Sequence, residues 1–158
     1  MKDHSVREIR RKDREIDEVE ALKILAKGEY GILSTVGEDG NPYGVPVSYV
    51  YHDGDIYIHS APEGRKVDNL LSGAHASFCV VGHTQMQPEM FTTHYESAIA
   101  ACDVRELFDE AKLDALGWLI KKYSPGFETP GAEYIASRKD ETRLFALRVR
   151  HLTGKRRA

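Results

Sequence analysis

The chain has 158 residues, of which 41% are hydrophobic, and its formal net charge is −3 with the histidines neutral. This length is typical of a single domain, and the hydrophobic fraction excludes general disorder. The near balance of charge argues against a broad nucleic-acid-binding surface, and no apolar run reaches the roughly 20 residues that cross a bilayer. We therefore expect a single-domain cytoplasmic protein with no nucleic-acid and no membrane partner, and we interpret its two cysteines as reduced thiols.

The first predicted helix follows a charged segment. Residues 1–16 alternate basic and acidic side chains, which is typical of a solvated arm. Asp17 has the spacing to Glu20 of a helix capping box, and apolar residues then recur at helical intervals. We expect a helix that begins after Asp17 and ends at Gly28, with the glycine in the left-handed conformation of a C-terminal stop.

Three strands joined by two turns come next. Apolar alternation and turn signals predict these strands over residues 30–36, 43–51 and 55–60. Asp53 and Gly54 form the turn of the second hairpin. Because Pro46 has no N–H to donate, the second strand should have an edge, a bulge or a ligand at that position. Consecutive hairpins of this length indicate an antiparallel meander.

The remainder of the chain is predicted to contain three more strands and two helices. The strands are expected over 74–81, 90–104 and 142–152, and the helices over 62–71 and 105–123. Residues 82–89 would form a polar connection. We divide the chain into a charged arm over 1–16, one domain over 17–152 and a basic tail over 153–158. Six strands with intervening helices indicate a small β-barrel decorated by helices.

The richest candidate site lies where the third strand ends and the next helix begins. Free backbone N–H groups and the positive end of the helix dipole would meet there. Ser60 adds a hydroxyl, and Arg65 and Lys66 add two positive charges. The pattern predicts a site for a phosphate or another anion. An ordinary helix start with two solvated cations is the alternative, and composition alone favours it. His59 lies at the same strand end.

Other chemistry is less well supported by the residues. The histidine and cysteine spacings match no metal site, and no nucleophile motif of the hydrolases occurs. Four tyrosines cluster on one hairpin, at Tyr43, Tyr49, Tyr51 and Tyr57. Such a cluster is usually a packed sheet surface, and it is also compatible with the wall of an aromatic ligand pocket. The pattern does not separate these two interpretations.

Five segments, in this order, resemble the FMN-binding split-barrel superfamily, the relatives of pyridoxamine 5′-phosphate oxidase. They are RKDREI from residue 11, YGILST from 30, GVPVSY from 44, HSAPEGRK from 59 and THYES from 93. Within the superfamily the chain is most similar to the 5-nitroimidazole-resistance (Nim) branch. The resemblance implies a mainly β fold, a six-stranded antiparallel split β-barrel with peripheral α-helices. It further implies a homodimer with two FMN sites at the subunit interface.

The resemblance also implies roles for ten residues of this sequence. The segment that holds the FMN phosphate is matched by His59, Ser60, Arg65 and Lys66. The strand whose backbone faces the isoalloxazine ring is matched by Val45, Pro46, Val47 and Ser48. The later strand that completes the pocket in such dimers is matched by Tyr95 and Ser97. His59 is in addition the position of a functionally important histidine in the Nim branch, which makes it the candidate catalytic residue.

The implied activity is that of an FMN-dependent oxidoreductase that reduces a small aromatic or nitro compound. The flavin would carry the redox chemistry, and the protein would orient it and shape the substrate cavity. Two alternatives stay open. One is a non-catalytic barrel that holds a flavin or a haem, with His59 or His94 as an axial ligand. The other is a pyridoxamine 5′-phosphate oxidase-like enzyme, for which the sequence offers no substrate-specific motif.

Overall fold

The computed structural model describes residues 7–158, and within that range eight strands form one antiparallel sheet with helices around it. The strands are β1 (Glu15–Ile16), β2 (Gly31–Val36), β3 (Pro42–Val47), β4 (Val50–His52), β5 (Asp55–Ser60), β6 (His75–Gln87), β7 (Thr92–Leu107) and β8 (Arg143–Arg157). The helices are α1 (Glu18–Lys27), α2 (Arg65–Ser72), α3 (Asp109–Tyr123) and α4 (Glu128–Arg138). The predicted mainly β class is confirmed, although the strand count exceeds the expected six.

The order of the strands shows that the sheet closes on itself. The order is β3-β2-β6-β7-β8-β5-β4, and β1 pairs with β8 outside this path. β3 and β4 stand at opposite ends of the order, yet only Ser48 and Tyr49 separate them in the chain. Two residues span only about 7 Å, so the sheet curls until its ends meet. The predicted split β-barrel is therefore confirmed, and the strand expected over 43–51 is two strands that join the two edges.

The faces of this edge segment agree with the expected alternation. Val47 and Tyr49 are buried in the barrel, whereas Pro46 and Ser48 are exposed. β3 pairs only with β2 in the sheet order, so Pro46 lies on an edge strand, as its missing N–H requires.

The core has two parts on opposite faces of the sheet. The barrel interior is filled by side chains that are almost fully buried, among them Leu33, Ile58, Phe78 and Phe145, and α1 covers one end. A second cluster forms outside the barrel, where α3 packs on β5 and β8. β8 serves both clusters, because successive side chains of a strand point to opposite faces. Phe145 and Leu147 point inward, while Leu144 and Ala146 point to α3.

The start of α1 matches the expectation and its end does not. The carboxylate of Asp17 accepts a hydrogen bond from the backbone N–H of Glu20 (2.8 Å), which confirms the predicted cap. Gly28 was expected in a left-handed conformation, but its φ is −59°. A glycine is needed there for a close approach, since a Cβ would lie 2.4 Å from Cγ1 of Val80 and 2.5 Å from Oη of Tyr49.

Several other boundaries differ from the sequence-based expectation. β6 continues to Gln87 through a register shift after Val81, so residues 82–89 are mostly strand and not a connection. β7 extends to Leu107, and α3 therefore begins at Asp109 instead of 105. β8 runs to Arg157 and pairs with β7, so the expected basic tail is part of the sheet. Of the expected arm, residues 1–6 lie outside the described range.

One helix, α4, has no counterpart in the sequence-based expectation. Pro130 and Gly131 fall inside it and are typical of helix breakers. Pro130 is tolerated because it sits in the first turn, where its missing N–H has no partner to lose. No helix among the described residues is long and apolar enough to cross a membrane.

Candidate functional site

A cavity of about 450 Å³ lies between α3, α4 and the barrel, and two of the predicted site residues reach it. His59 enters from the end of β5, and Ser48 enters from the junction between β3 and β4. The apolar wall is formed by Leu116, Leu119, Ile120, Tyr123, Tyr134 and Ile135. The remaining lining residues are Arg138, Lys139, Glu141 and Thr142.

The position of His59 follows from the alternation of β5. Its neighbours Ile58 and Ser60 are buried, so His59 points to the outer face, toward α3 and α4. Desolvation in this concave region lowers the pKa of His59 below its ordinary value, and the positive charge of Lys66 lowers it further. The His59 side chain is itself exposed, and because its pKa lies below the ordinary value near 6.5, the neutral imidazole predominates at pH 7. A neutral ring donates one hydrogen bond and accepts another.

Lys66 lies at the start of α2 and has the properties of an anion ligand. It is half-buried, and burial lowers the pKa of its ammonium. Among the described residues it forms no salt bridge. The residue before α2 is Gly64 with φ 131°, a conformation that favours glycine, and no side chain of residues 7–158 caps the helix. The first N–H groups of α2 and the Lys66 charge therefore remain available to an anion.

Arg65 turns to a different side of α2. Its guanidinium lies 4.6 Å from the ring centroid of Tyr43 on β3. The pKa of Asp39 is lowered mainly by hydrogen bonds from the backbone and side chain of Asn41, and the charge of Arg65 adds to this effect. Tyr43 and Ser48 are five residues apart along the edge of the sheet, which corresponds to about 17 Å of extended chain. The exposed edge of β3 thus runs from Arg65 at one end to the His59 cavity at the other.

Two residues of α3 hold the junction at which the sheet closes. Oη of Tyr123 accepts a hydrogen bond from the backbone N–H of Tyr49 (2.9 Å) and donates to the carbonyl oxygen of Glu29 (2.6 Å). Nζ of Lys122 donates to the carbonyl oxygen of Tyr49 (2.8 Å) and lies 3.8 Å from the centroid of its ring. These bonds replace the strand ladder where β3 gives way to β4. They fix the backbone next to Ser48, and burial lowers the pKa of Lys122 to about 8.

Lys122 and Tyr123 were not among the predicted site residues. The sequence places Tyr123 in the apolar stripe of α3, and nothing local indicates that its hydroxyl bonds to residues 74 and 94 positions earlier. The only feature of the sequence that could have pointed to these two residues is an aromatic residue next to a lysine at the end of an amphipathic helix.

The other predicted site residues are distributed over separate regions of the fold. Val47 is buried in the barrel and Val45 packs against its core, so neither valine side chain faces outward. Ser60 is buried. Tyr95 and Ser97 lie on the outer face of β7, where Tyr95 pairs with Arg157 of β8. Neither Tyr95 nor Ser97 lines the cavity of His59.

Comparison with known proteins agrees with this architecture. A search among curated proteins finds no match. Solved structures do match, and those described below are each under 25% identical to this chain, so they show the fold alone. One is a candidate 5-nitroimidazole antibiotic resistance protein from Bacteroides thetaiotaomicron, with 22% identity, a TM-score of 0.71, and coverage of 89% of this chain and 85% of that chain.

Two further structures carry names that mention haem. The FAD- and haem-binding protein from Mycobacterium smegmatis has 21% identity and a TM-score of 0.74, with coverage of 90% of this chain and 73% of that chain. The haem storage protein HutZ from Vibrio cholerae has 15% identity and a TM-score of 0.66, with coverage of 87% and 94%.

The sequence itself matches a family model described as pyridoxamine 5′-phosphate oxidase over residues 17–156, which is most of the chain. This match covers strands β2 to β7, nearly all of β8, all four helices and the His59 cavity, and it confirms the resemblance to the split-barrel superfamily. The chain belongs to the pyridoxamine 5′-phosphate oxidase family.

Proposed function

We propose that this protein is a homodimeric FMN-dependent oxidoreductase of the nitroimidazole-resistance type, which reduces a small aromatic or nitro compound. The observation that carries the proposal is the meeting of His59 and Ser48 at a largely apolar cavity, beside the uncapped start of α2 with Lys66. An anion site next to an apolar cavity suits a cofactor with a phosphate at one end and a flat ring at the other.

The residues present fit FMN in several respects. Lys66 lacks an acidic partner among the described residues, and a phosphate would supply one. Arg65 would add a second positive charge from the other side of α2, close to Tyr43. The exposed edge strand offers its backbone at Pro46 and Ser48, where no further strand of residues 7–158 pairs. When bound, FMN supplies the electron transfer, and these residues bind and orient it.

His59 would act at the substrate end of this arrangement. Its neutral imidazole stands beside Ser48 at the cavity, where it is able to hold or accept a proton. The apolar side chains of α3 and α4 would contact the apolar part of the substrate at that end. This is the role we assign to His59 as the catalytic residue.

A second copy of the chain would complete the site in this proposal. Tyr95 and Ser97 lie on the outer face of β7, together with Ile99, which is 47% exposed. An exposed sheet face with an apolar side chain at its centre suits an interface between two copies. Tyr95 and Ser97 of one copy would then approach the edge strand of the other. Sedimentation at micromolar concentration tests this part, and a monomer would contradict it.

Haem binding is the second candidate function. It is favoured by a neutral imidazole at an apolar cavity, because neutral histidine is the common axial ligand of haem iron. His94, also considered as an axial ligand, lies on β7 opposite Gln85 and does not line the cavity. The names of two structural neighbours mention haem.

We propose the cytoplasm as the location of this protein. Its two cysteines, Cys79 and Cys102, are free thiols, which suits a reducing compartment.

The first experiment is a visible spectrum of the purified protein, with mass analysis of any released chromophore. A flavin spectrum with FMN released on denaturation supports the proposal, and a haem Soret band supports the second candidate. A colourless protein that binds neither added FMN nor added haem would contradict both candidate functions.

The anion site is tested with the variant Arg65→Ala/Lys66→Ala. Each charge-assisted phosphate contact contributes about 1.5–3 kcal/mol, so FMN affinity should fall by at least about 100-fold. Lys27→Ala/Lys121→Ala is the control, because it removes the same two charges from exposed positions in α1 and α3. Equal FMN affinity in both variants would exclude α2 as the phosphate site.

A further inference from the structure

We propose that the end of the hairpin formed by β6 and β7 packs against a second copy of this chain, where Phe91 at its tip covers the partner's His59 cavity. We call this part of the hairpin, residues 85–94, the arm. The inference rests on the homodimer of the proposed function and deepens it, because it names the segment and the side chains that would complete the site across the interface.

The arm extends beyond the rest of the sheet. β8 ends at Arg157, which pairs with Tyr95, and the pairing of β2 with β6 reaches only to Cys79. Among the described strands, residues 85–87 and 92–94 therefore pair only with each other. A two-stranded hairpin without further support is marginally stable in water. A surface that packs against the arm would stabilise it.

One side of the arm continues the uncovered outer face of the sheet. Along β7, Thr93 and Tyr95 share a side with Ile99, because alternate residues of a strand point the same way. Met86 of β6 lies directly opposite Thr93 and points to this side as well, where it is 79% exposed. The face that we propose as the interface between two copies therefore continues into the arm.

The tip of the arm combines an exposed ring with a disfavoured backbone. Phe91 is 96% exposed, and Met90 beside it is 58% exposed. The backbone of Phe91 is left-handed, with φ 52° and ψ 41°, which is an unusual conformation for a bulky residue. Both features cost free energy in a single copy. Burial of the ring against a second copy would compensate for them.

The length of the arm brings its tip to one end of the partner's edge strand. In the proposed dimer, Tyr95 of one copy approaches the edge strand of the other. Phe91 lies four residues from Tyr95, which corresponds to about 13 Å of extended chain. The partner's edge from Tyr43 to Ser48 is of similar length, about 17 Å. The tip therefore reaches an end of this edge.

An apolar tip matches the Ser48 end of the edge better than the Tyr43 end. The His59 cavity opens at the Ser48 end, and its walls on α3 and α4 are apolar. Near the Tyr43 end the side chains are charged, among them Arg65, Asp39 and Asp68. Burying such charged groups under an apolar ring is unfavourable. We therefore place Phe91 of one copy over the His59 cavity of the other.

A pair of opposite charges supports the same placement. Glu89 is the only carboxylate of the arm and is exposed, and Lys139 is exposed where it lines the cavity. Within residues 7–158 neither side chain forms a salt bridge. With Phe91 over the cavity, Glu89 of one copy comes next to Lys139 of the other, and the two charges attract.

The tip is tested with Phe91→Asn, because asparagine tolerates the left-handed conformation and the variant should fold. Sedimentation equilibrium of the full chain without added cofactor should give a dimer dissociation constant at least about tenfold higher. Phe108→Asn is the control, since Phe108 is 62% exposed outside the arm and asparagine suits its position before α3. Equal dimer stability in the two variants overturns the proposal.

The placement over the cavity is tested with Glu89→Lys and Lys139→Glu. In a two-fold dimer, either variant alone has like charges at both contacts, whereas an equal mixture forms heterodimers in which both contacts join opposite charges. By native mass spectrometry, the heterodimer should exceed its statistical share of about half of all dimers. The control mixture combines Lys139→Glu with Glu133→Lys, because Glu133 is exposed on α4 and does not line the cavity. Equal heterodimer shares in the two mixtures overturn the placement.

The outcomes separate this inference from the proposed function, because FMN binding is measured on the same preparations. A chain that dimerises through the arm but binds no FMN contradicts the proposed function and keeps the inference. A dimer that binds FMN and is unaffected by Phe91→Asn overturns the inference alone. A monomeric unmodified chain overturns the inference together with the dimer of the proposed function.

Discussion

The barrel interior and the helical layer outside it are built from the same strand but are packed very differently. Inside, Leu33, Phe78 and Ile58 are fully buried, and the rings of Phe78 and Tyr49 meet edge to face with centroids 4.8 Å apart. Outside, α3 seals only part of the outer face, and a cavity remains between α3 and α4. The barrel fixes where the strands end, and the looser layer leaves space at those ends.

This difference explains why the candidate site lies outside the barrel. A close-packed interior has no room for a ligand and resists any change of volume. The helical layer needs to bury only one face of α3. α4 is less well covered than α3, as the exposed fractions of Tyr134 (61%) and of Phe127 (65%), the residue before α4, show. His59 and Ser48 belong to the rigid part and face the open part, which is the arrangement that a preformed site requires.

The largest expected effect is the loss of a ring inside the barrel. Phe78→Ala should lower the free energy of unfolding by about 3–5 kcal/mol, because the fully buried ring leaves a cavity that the closed sheet cannot fill. Leu116→Ala in the helical layer should lower it by about 2 kcal/mol, since neighbouring side chains have space to move. Urea unfolding of both variants measures the contrast. Equal losses would show that the two regions are equally well packed.

A pair of glycine variants should give effects of opposite sign within the helical layer. Gly131→Ala forces α3 and α4 apart, and overpacking costs about 1–3 kcal/mol, more than the gain in helix propensity of up to about 1 kcal/mol. At Gly117, in the middle of α3, a Cβ meets no atom of the described residues within 4 Å. Gly117→Ala should therefore stabilise the protein by about 0.5–1 kcal/mol.

Thermal unfolding of the two variants measures this difference directly. A stabilised Gly131→Ala variant would contradict the close contact between Gly131 and Ile120. A destabilised Gly117→Ala variant would show that α3 is packed on the face that the structure leaves open.

Local chemistry accounts for most of what could be predicted from the sequence. The Asp17 cap and the Asp53–Gly54 turn depend on neighbouring residues, and both are found, the turn with positive φ at both positions. The inward and outward faces of residues 45–49 follow from strand alternation and are also correct. The boundary between β3 and β4 could not be predicted, because the chain continues with the same period while its partner strand changes from β2 to β5.

The candidate site shows the same division between local and long-range information. His59 and Lys66 were placed by the end of a strand and the start of a helix, which are local features. The cavity depends on α4, whose Pro130 and Gly131 conceal its helical character, and on its contact with α3. Arg65 and Lys66 are adjacent in sequence, yet the helix turns them to different sides. Tertiary contacts of this kind leave no periodic signal.

The smallest expected effect concerns the residue that joins the two regions, Lys122. Burial lowers the pKa of its ammonium to about 8, below the ordinary value near 10.5. Between these values the unfolded chain binds more protons than the folded one, so the free energy of unfolding receives a contribution that rises with pH from about 8 to 10.5. Below pH 8 the amine is protonated in both states, and this contribution no longer changes.

Lys122→Met should remove that rise while preserving most of the packing of the side chain. The Tyr123 hydroxyl still accepts the hydrogen bond from the backbone N–H of Tyr49 (2.9 Å), so the junction of β3 and β4 should not come apart. The measurement is the urea midpoint at pH 7.5 and pH 10 for both proteins. Burial raises the pKa of Tyr49 and that of Cys102, and both groups oppose the rise, but they are common to the two proteins and cancel in the difference. An unchanged pH dependence in the variant would mean that Lys122 is solvated in the folded chain and that Tyr123 alone holds the end of the barrel to the helical layer.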